Sequence, residues 1–193
     1  KKLEEIARPA WDLFPLENYL SNGLGYGVNP DRTIPLLASR GCPFQCTFCS
    51  SPQMWTTKWE ARPVNDLLDE MESYIHKYGA TNFDFYDLTT IIRKDWIREF
   101  CSELKKKEWN ITWQMPAGTR SEALEPEILA AMFATGQRNT TYAPESGSPR
   151  TLKVIKKKVN LDNMKSSIRA AVKQGMNVKL NMIMGFPHET KRE

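Results

Sequence analysis

Five times along this 193-residue chain a short apolar or alternating run gives way to a stretch of helical periodicity. The runs are Thr33 to Ser39, Asn82 to Asp87, Ile111 to Met115, Asn139 to Ala143 and Val178 to Met184. After the first, Val64, Leu67, Leu68, Met71, Ile75 and Tyr78 recur at helical spacing between Pro63, a good helix opener, and Gly79, a good stop. Trp96, Ile97, Phe100, Cys101 and Leu104 mark a helix after the second. Helical patterning returns from Pro126 to Thr135, from Pro149, and from Leu161 to Gly175. Strands joined by crossover helices run parallel, so the chain is predicted to be α/β. Pro35 has no N–H to give to a ladder, which predicts an edge position for the first strand or unpaired first residues.

A parallel sheet leaves two topologies. A doubly wound sheet gathers ligands at one switch point, whereas a barrel gathers them around its whole carboxyl rim. Here polar or unusual residues follow nearly every strand: cysteines after the first, Asp87 after the second, Arg120 after the third, Glu145 after the fourth and Gly185-Phe186-Pro187 after the fifth. That ring-like distribution predicts a partial (β/α) barrel of parallel strands.

With 40% hydrophobic and 26% charged residues, the chain has the composition of a globular protein with one sizeable core. The net charge of +4 is modest. The runs Lys105-Lys106-Lys107 and Lys156-Lys157-Lys158 fall where helices should end, and read as solvated charge there rather than as a nucleic-acid surface. No secretory h-region and no apolar run of membrane-spanning length is present, which predicts a reducing cytoplasm without disulfides. The first thirty residues are rich in Pro, Gly and aromatics without sustained period, and read as a linker laid against the domain. A start without Met and an end at Lys191-Arg192-Glu193 predict a piece of a longer polypeptide.

The chemistry begins with Cys42, Cys46 and Cys49, three thiols within eight residues. Structural zinc takes four ligands and cysteine-bound clusters commonly take four thiolates, so three convergent sulfurs predict a metal centre with one open position. No other residue is a convincing fourth ligand. Cys101 falls on the apolar face of its helix, His76 on a helix surface and His188 in a loop. Three other readings stay open at this level: a zinc knuckle completed by Cys101 or a histidine, a disulfide with a spare thiol, and an electron-carrier cluster that would need Cys101.

The spacing C-x-x-x-C-x-x-C, with Phe48 directly before the last cysteine, resembles the cluster motif of the radical S-adenosylmethionine enzymes. The resemblance implies that Cys42, Cys46 and Cys49 hold a [4Fe-4S] cluster whose fourth iron chelates S-adenosylmethionine. It implies reductive cleavage to a 5′-deoxyadenosyl radical that abstracts a substrate hydrogen. It also implies a partial barrel usually of six βα units, so the five strands here predict a missing last unit.

Further roles follow from the same resemblance. Phe48 would lie against the adenine. Asp87 stands where many members carry Gly-Gly-Glu and bind the methionine amino group, although Tyr86 departs from that pattern and a plain strand-end cap is the other reading. Arg120 would pair with the methionine carboxylate or act only in an ion pair. Tyr142-Ala143-Pro144-Glu145-Ser146-Gly147-Ser148 is similar to the family turn G-x-E-S-G-S, with Ala143 in place of Gly, so Glu145 and Ser146 would face the bound nucleoside or methionine. The turn at Gly185, in Gly185-Phe186-Pro187-His188-Glu189-Thr190, would border the adenine.

Arg40-Gly41-Cys42-Pro43-Phe44, preceded by Pro9-Ala10-Trp11-Asp12-Leu13-Phe14-Pro15, looks most like the cobalamin-binding branch. Residues 1–31 would then be a linker from an upstream cobalamin-binding domain, and residues 32–193 the radical core. Expected chemistry is cobalamin-dependent methyl transfer or oxidative ring formation on a small-molecule substrate. A low-potential donor such as flavodoxin or ferredoxin would supply the electron.

Overall fold

The computed structural model describes residues 2–29, 31–120 and 124–190. Two single-turn 3-10 segments and helix α1 (Leu16–Ser21) precede strand β1 (Thr33–Leu36). The chain then passes through β2 (Ser39–Arg40), α2 (Ser51–Met54) and β3 (Glu60–Ala61) into α3 (Val64–Tyr78) and β4 (Asn82–Phe85). Next come α4 (Lys94–Lys106), β5 (Thr112–Thr119), α5 (Pro126–Ala134) and β6 (Gln137–Glu145). Helices α6 (Pro149–Val154) and α7 (Leu161–Lys173) lead to β7 (Asn177–Met182).

The large sheet has the order β1-β4-β5-β6-β7, and every pair is parallel. Each crossover adds its strand on the same side as the last, so the order never reverses. A doubly wound sheet must reverse at its switch point, and this one is a partial barrel. Pro35 sits opposite Asp84 on β1, an edge strand, where a missing N–H costs nothing to an outer neighbour.

Period-two alternation divides the strands into two faces. Phe83, Phe85, Trp113, Met115 and Tyr142 lie in the core with the helices, Tyr142 reaching Ser167 of α7 at 2.8 Å. Phe85, Trp96, Phe100 and Trp113 form an aromatic knot with centroids 5.4 to 5.8 Å apart, Trp96 and Phe100 being stacked. Cys101 is buried beside them, as its helical position predicts, and burial pushes its thiol up to about 12.

The opposite face is a polar ladder. Asp84 accepts from Gln114 at 2.6 Å and from Asn82 at 3.1 Å, while Asn139 donates to Gln114 at 2.8 Å. The linker completes it, because the Gly27 amide donates to the second Asp84 oxygen at 2.9 Å. A Cβ at Gly27 would lie 1.9 Å from the Gln114 amide nitrogen, so this approach requires glycine.

Several features depart from the sequence reading. The linker contains α1, which buries Leu16 and Leu20 against the core. The strand after the linker stops at Leu36, and Ser39 belongs instead to a two-stranded antiparallel ladder, Ser39 opposite Ala61 and Arg40 opposite Glu60. Strands β5 and β6 continue through Pro116, Gly118 and Pro144 by shifting register. Of the first lysine run, Lys107 is paired with Glu72 at 3.1 Å and lies over the Trp109 ring. Among the described residues no helix is long and apolar enough to cross a membrane.

Removing the Phe100 ring from the aromatic knot should cost about 4 kcal/mol, because the surrounding rings cannot collapse into the void. Urea unfolding of Phe100→Ala against the parent checks this.

Candidate functional site

Parallel strands put their carboxyl ends on one rim, and that rim carries the sequence-predicted residues other than Asp87. The cysteines occupy an excursion between β2 and β3 whose ends are tied by the short ladder. Gly41, at its start, has φ +80 and sits so close to Lys58 that a Cβ would lie 1.9 Å from the Lys58 carbonyl oxygen. Only glycine meets both demands. On the far side of the excursion the Thr47 amide donates to the Ile155 carbonyl at 3.0 Å, joining the cysteine loop to the end of α6.

All three cysteines are free thiols; Cys42 and Cys46 are half-buried and Cys49 is exposed. The Cys49 amide donates to the Cys46 carbonyl at 3.1 Å in a tight turn, and the Ser51 amide lies 3.4 Å from the Cys49 sulfur. Burial pushes the Cys46 thiol up. Lys157 and Arg120 oppose this, while Cys42 and Cys49 add to it. Those interactions gather the three sulfurs, Lys157 and Arg120 into one electrostatic neighbourhood. Among the described residues no three Cys, His, Asp or Glu side chains are drawn in to metal-binding geometry.

The Arg120 guanidinium stacks 3.5 Å from the centre of the Phe44 ring, which fastens the third strand's end to the cysteine loop. Glu145 ends β6 with φ 66, a left-handed conformation that costs a non-glycine residue energy and that clusters at functional sites. Its side chain is 11% exposed and accepts from Lys157 at 2.9 Å, and its carbonyl accepts from the Ile183 amide at 2.9 Å. Ser146 is buried and turns its hydroxyl back to the Ser148 amide at 3.1 Å.

Gly185 has φ +93, and a methyl group in place of its hydrogen would meet nothing within 4 Å, so it supplies a torsion rather than a close approach. Its amide and that of Phe186 both donate to Glu189, at 2.7 and 3.0 Å. This turn carries Phe186 to within 5.9 Å of Phe48, centroid to centroid, and Phe186 stacks on His188. Phe48 and Phe186 of the Gly185 turn thus meet in one aromatic wall.

Asp87 lies below the rim. It is 1% exposed, accepting from the Ser39 hydroxyl at 2.5 Å and from the Ala38 amide at 3.1 Å. Burial pushes it up to about 6, against the pull of those hydrogen bonds. Of the sequence-predicted residues, Cys46 and Arg120 thus share one neighbourhood with Glu145, through Lys157. Phe48 and Gly185 form a second group.

Lys157 is the residue the sequence reading missed. It was predicted to be solvated, yet its side chain is only 10% exposed, turned inward by a left-handed turn at Lys156. Three consecutive lysines carry no signal for which one turns in. Its neighbours Lys153, Lys156 and Lys158 line an open cleft of about 760 Å³ whose other wall includes Pro43, Phe44 and Gln45.

Two outcomes follow from this geometry. Lys157→Met strands the nearly buried Glu145 carboxylate and should destabilise the fold by about 3 kcal/mol, read by denaturant unfolding. For Asp87, the folded pKa of about 6 exceeds the ordinary 3.8, so the folded chain binds the proton more tightly. Its contribution is therefore fully present below pH 3.8 and is lost as pH rises through about 6. The stability of the parent relative to Asp87→Asn should fall by about 3 kcal/mol across that window, read from melting curves.

Comparison with known proteins places this chain in a family. The profile of the radical SAM superfamily matches residues 36–193. The chain is 29% identical over its whole length to an uncharacterized methyltransferase of Pyrococcus horikoshii, covering 40% of that protein. It is 34% identical over 96% of its length to cytidylyl-2-hydroxyethylphosphonate methyltransferase of Streptomyces wedmorensis, covering 35% of that protein. The chain thus spans well under half of the curated relatives it matches. Its fold is similar to that of the radical S-adenosylmethionine methyltransferase TsrM of Kitasatospora setae, solved with cobalamin and a [4Fe-4S] cluster, at a TM-score of 0.69 and 19% identity over 81% of this chain and 32% of that one. With the family profile covering most of its length over a partial barrel of matching fold, the chain belongs to the radical SAM superfamily of enzymes.

Proposed function

We propose that the chain is the core of a cobalamin-dependent radical S-adenosylmethionine enzyme, in which Cys42, Cys46 and Cys49 hold a [4Fe-4S] cluster. The observation that carries this is the placing of three free thiols on one loop at the carboxyl end of the first barrel strand. The donor set fits, since thiolates are the usual ligands of such clusters and three of them leave one iron for the cosubstrate. When bound, the cluster supplies one electron to S-adenosylmethionine, whose cleavage yields a 5′-deoxyadenosyl radical for hydrogen abstraction.

The chain's own residues supply binding and electrostatics. Lys157 and Arg120, beside Cys46, offset the negative charge that accumulates where three thiolates converge. Phe48 and Phe186 form the apolar wall against which an adenine stacks. Glu145, held out of ordinary backbone geometry, and Ser146 border the seat of the nucleoside or methionine, and the Gly185 turn follows the adjacent strand end. Arg120 serves the methionine carboxylate from above the Phe44 ring.

Residues 1–31 are assigned as the linker from an upstream cobalamin-binding domain, and residues 32–193 as the radical core. The cobalamin-bound state of TsrM and the methyltransferase names of the two relatives support methyl transfer, while similarity to anaerobic magnesium-protoporphyrin IX monomethyl ester cyclases supports oxidative ring formation as the alternative. The partners are a small-molecule substrate and a low-potential flavodoxin or ferredoxin, in a reducing cytoplasm.

Anaerobic reconstitution of the intact protein should give about four irons per chain, and dithionite with S-adenosylmethionine should then yield 5′-deoxyadenosine. A protein that takes up only zinc would contradict this. Cys101→Ser should retain all of its iron, because Cys101 is buried among α4 core residues. Iron loss in that variant would instead support a carrier cluster with four cysteine ligands.

A further inference from the structure

We infer that Asp87 is a positioning residue that clamps the root of the cysteine loop, rather than a group that touches the cosubstrate. The inference rests on the cluster assignment only for its iron readout. One Asp87 oxygen accepts from Ser39 and the other from the Ala38 amide, both just ahead of the loop. Two residues on, the Thr89 carbonyl accepts from the Trp59 indole at 3.0 Å, at the loop's other end, and lies 3.3 Å from the Ser39 hydroxyl. The segment 87–89 therefore grips both stems of the excursion 41–59. The ladder between β2 and β3 pairs only two residues on each strand and is marginal without such support.

Burial argues against a ligand role. An ammonium group reaching Asp87 would have to displace Ala38 or Ser39 from a carboxylate that is 1% exposed. Residues that do reach the rim, Glu145 and Arg120, belong to later strands.

The hydrogen-bond logic separates the two roles. Ser39 has one hydroxyl proton, and its 2.5 Å contact assigns it to Asp87. An amide at position 87 can accept from Ala38 through its oxygen and donate to Ser39 through its nitrogen, with the Ser39 proton turned to the Thr89 carbonyl. Asparagine therefore keeps the clamp, and alanine abolishes it. Binding of an ammonium by charge gives the reverse, since asparagine has lost the charge.

Three measurements on the intact protein decide between them. Hydrogen exchange of the iron-free protein should show amides 38–41 exchanging about tenfold faster in Asp87→Ala, the loss of one buried hydrogen bond, and near the parent rate in Asp87→Asn. Iron retained after anaerobic reconstitution and desalting should fall several-fold in Asp87→Ala only. Calorimetry should find the affinity of reconstituted Asp87→Asn for S-adenosylmethionine unchanged. If Asp87→Ala does not fold, Ser39→Ala, which removes one arm without a large void, should show a smaller change in the same direction. Normal protection and iron in Asp87→Ala would overturn the inference. So would a loss of about tenfold in cosubstrate affinity in an Asp87→Asn protein with its cluster intact. A parent protein that takes up no iron would refute the cluster reading, and the exchange rates would still decide the clamp.

Discussion

The structure depends on five strands laid down in chain order, every pair parallel. Crossover connections have one favoured hand, so a chain that keeps adding strands to the same side curls its sheet and brings every carboxyl end to one rim. The cysteine loop, Arg120, Glu145 and the Gly185 turn are far apart in sequence and share that rim for this reason alone. The same curl sets the two faces apart. The outer face meets helices and is filled by Phe83, Phe85, Trp113 and Tyr142, while the inner face is a chain of hydrogen bonds from Gly27 through Asp84 and Gln114 to Asn139. Linking these groups offsets most of the cost of burying them, although the Asn139 Oδ1 has no partner among the described residues, and gives the barrel a rigid floor.

Above that floor the rim is built from opposed charges and strained turns. Lys157 neutralises Glu145 while also facing Cys46, so one lysine ties the fourth strand's end to the cysteine loop. Arg120 does the same for the third strand through the Phe44 ring. Asp87 anchors the loop from beneath through Ser39 and Ala38. A cysteine excursion closed by a two-residue ladder is thus held by contacts from the ends of three other strands. Its thiols stay only half-buried or exposed.

Much of this was legible in residue order. Pro35 marked an edge strand because, away from a register shift such as those at Pro116 and Pro144, a missing N–H is tolerated best at the edge of a sheet. Cys101 was legible as a core residue because Trp96, Ile97, Phe100 and Leu104 share its helical face. Helix α1 escaped notice because six residues among prolines and glycines show no period. The β2–β3 ladder escaped because two residues on each side are too few for alternation to register.

The sequence by itself determined the strand–helix alternation, the two-faced strands and the three-thiol spacing, since each depends on neighbours within a few residues. Tertiary structure decided which charges are solvated and which are buried. Nothing local distinguishes Lys157 from Lys156 and Lys158, and only the left-handed turn at Lys156 directs the middle one to Glu145. Asp87 is likewise an ordinary strand-end carboxylate in sequence. Its burial beneath Ser39 comes from a pairing between segments about fifty residues apart, and only that pairing makes it a clamp on the cysteine loop.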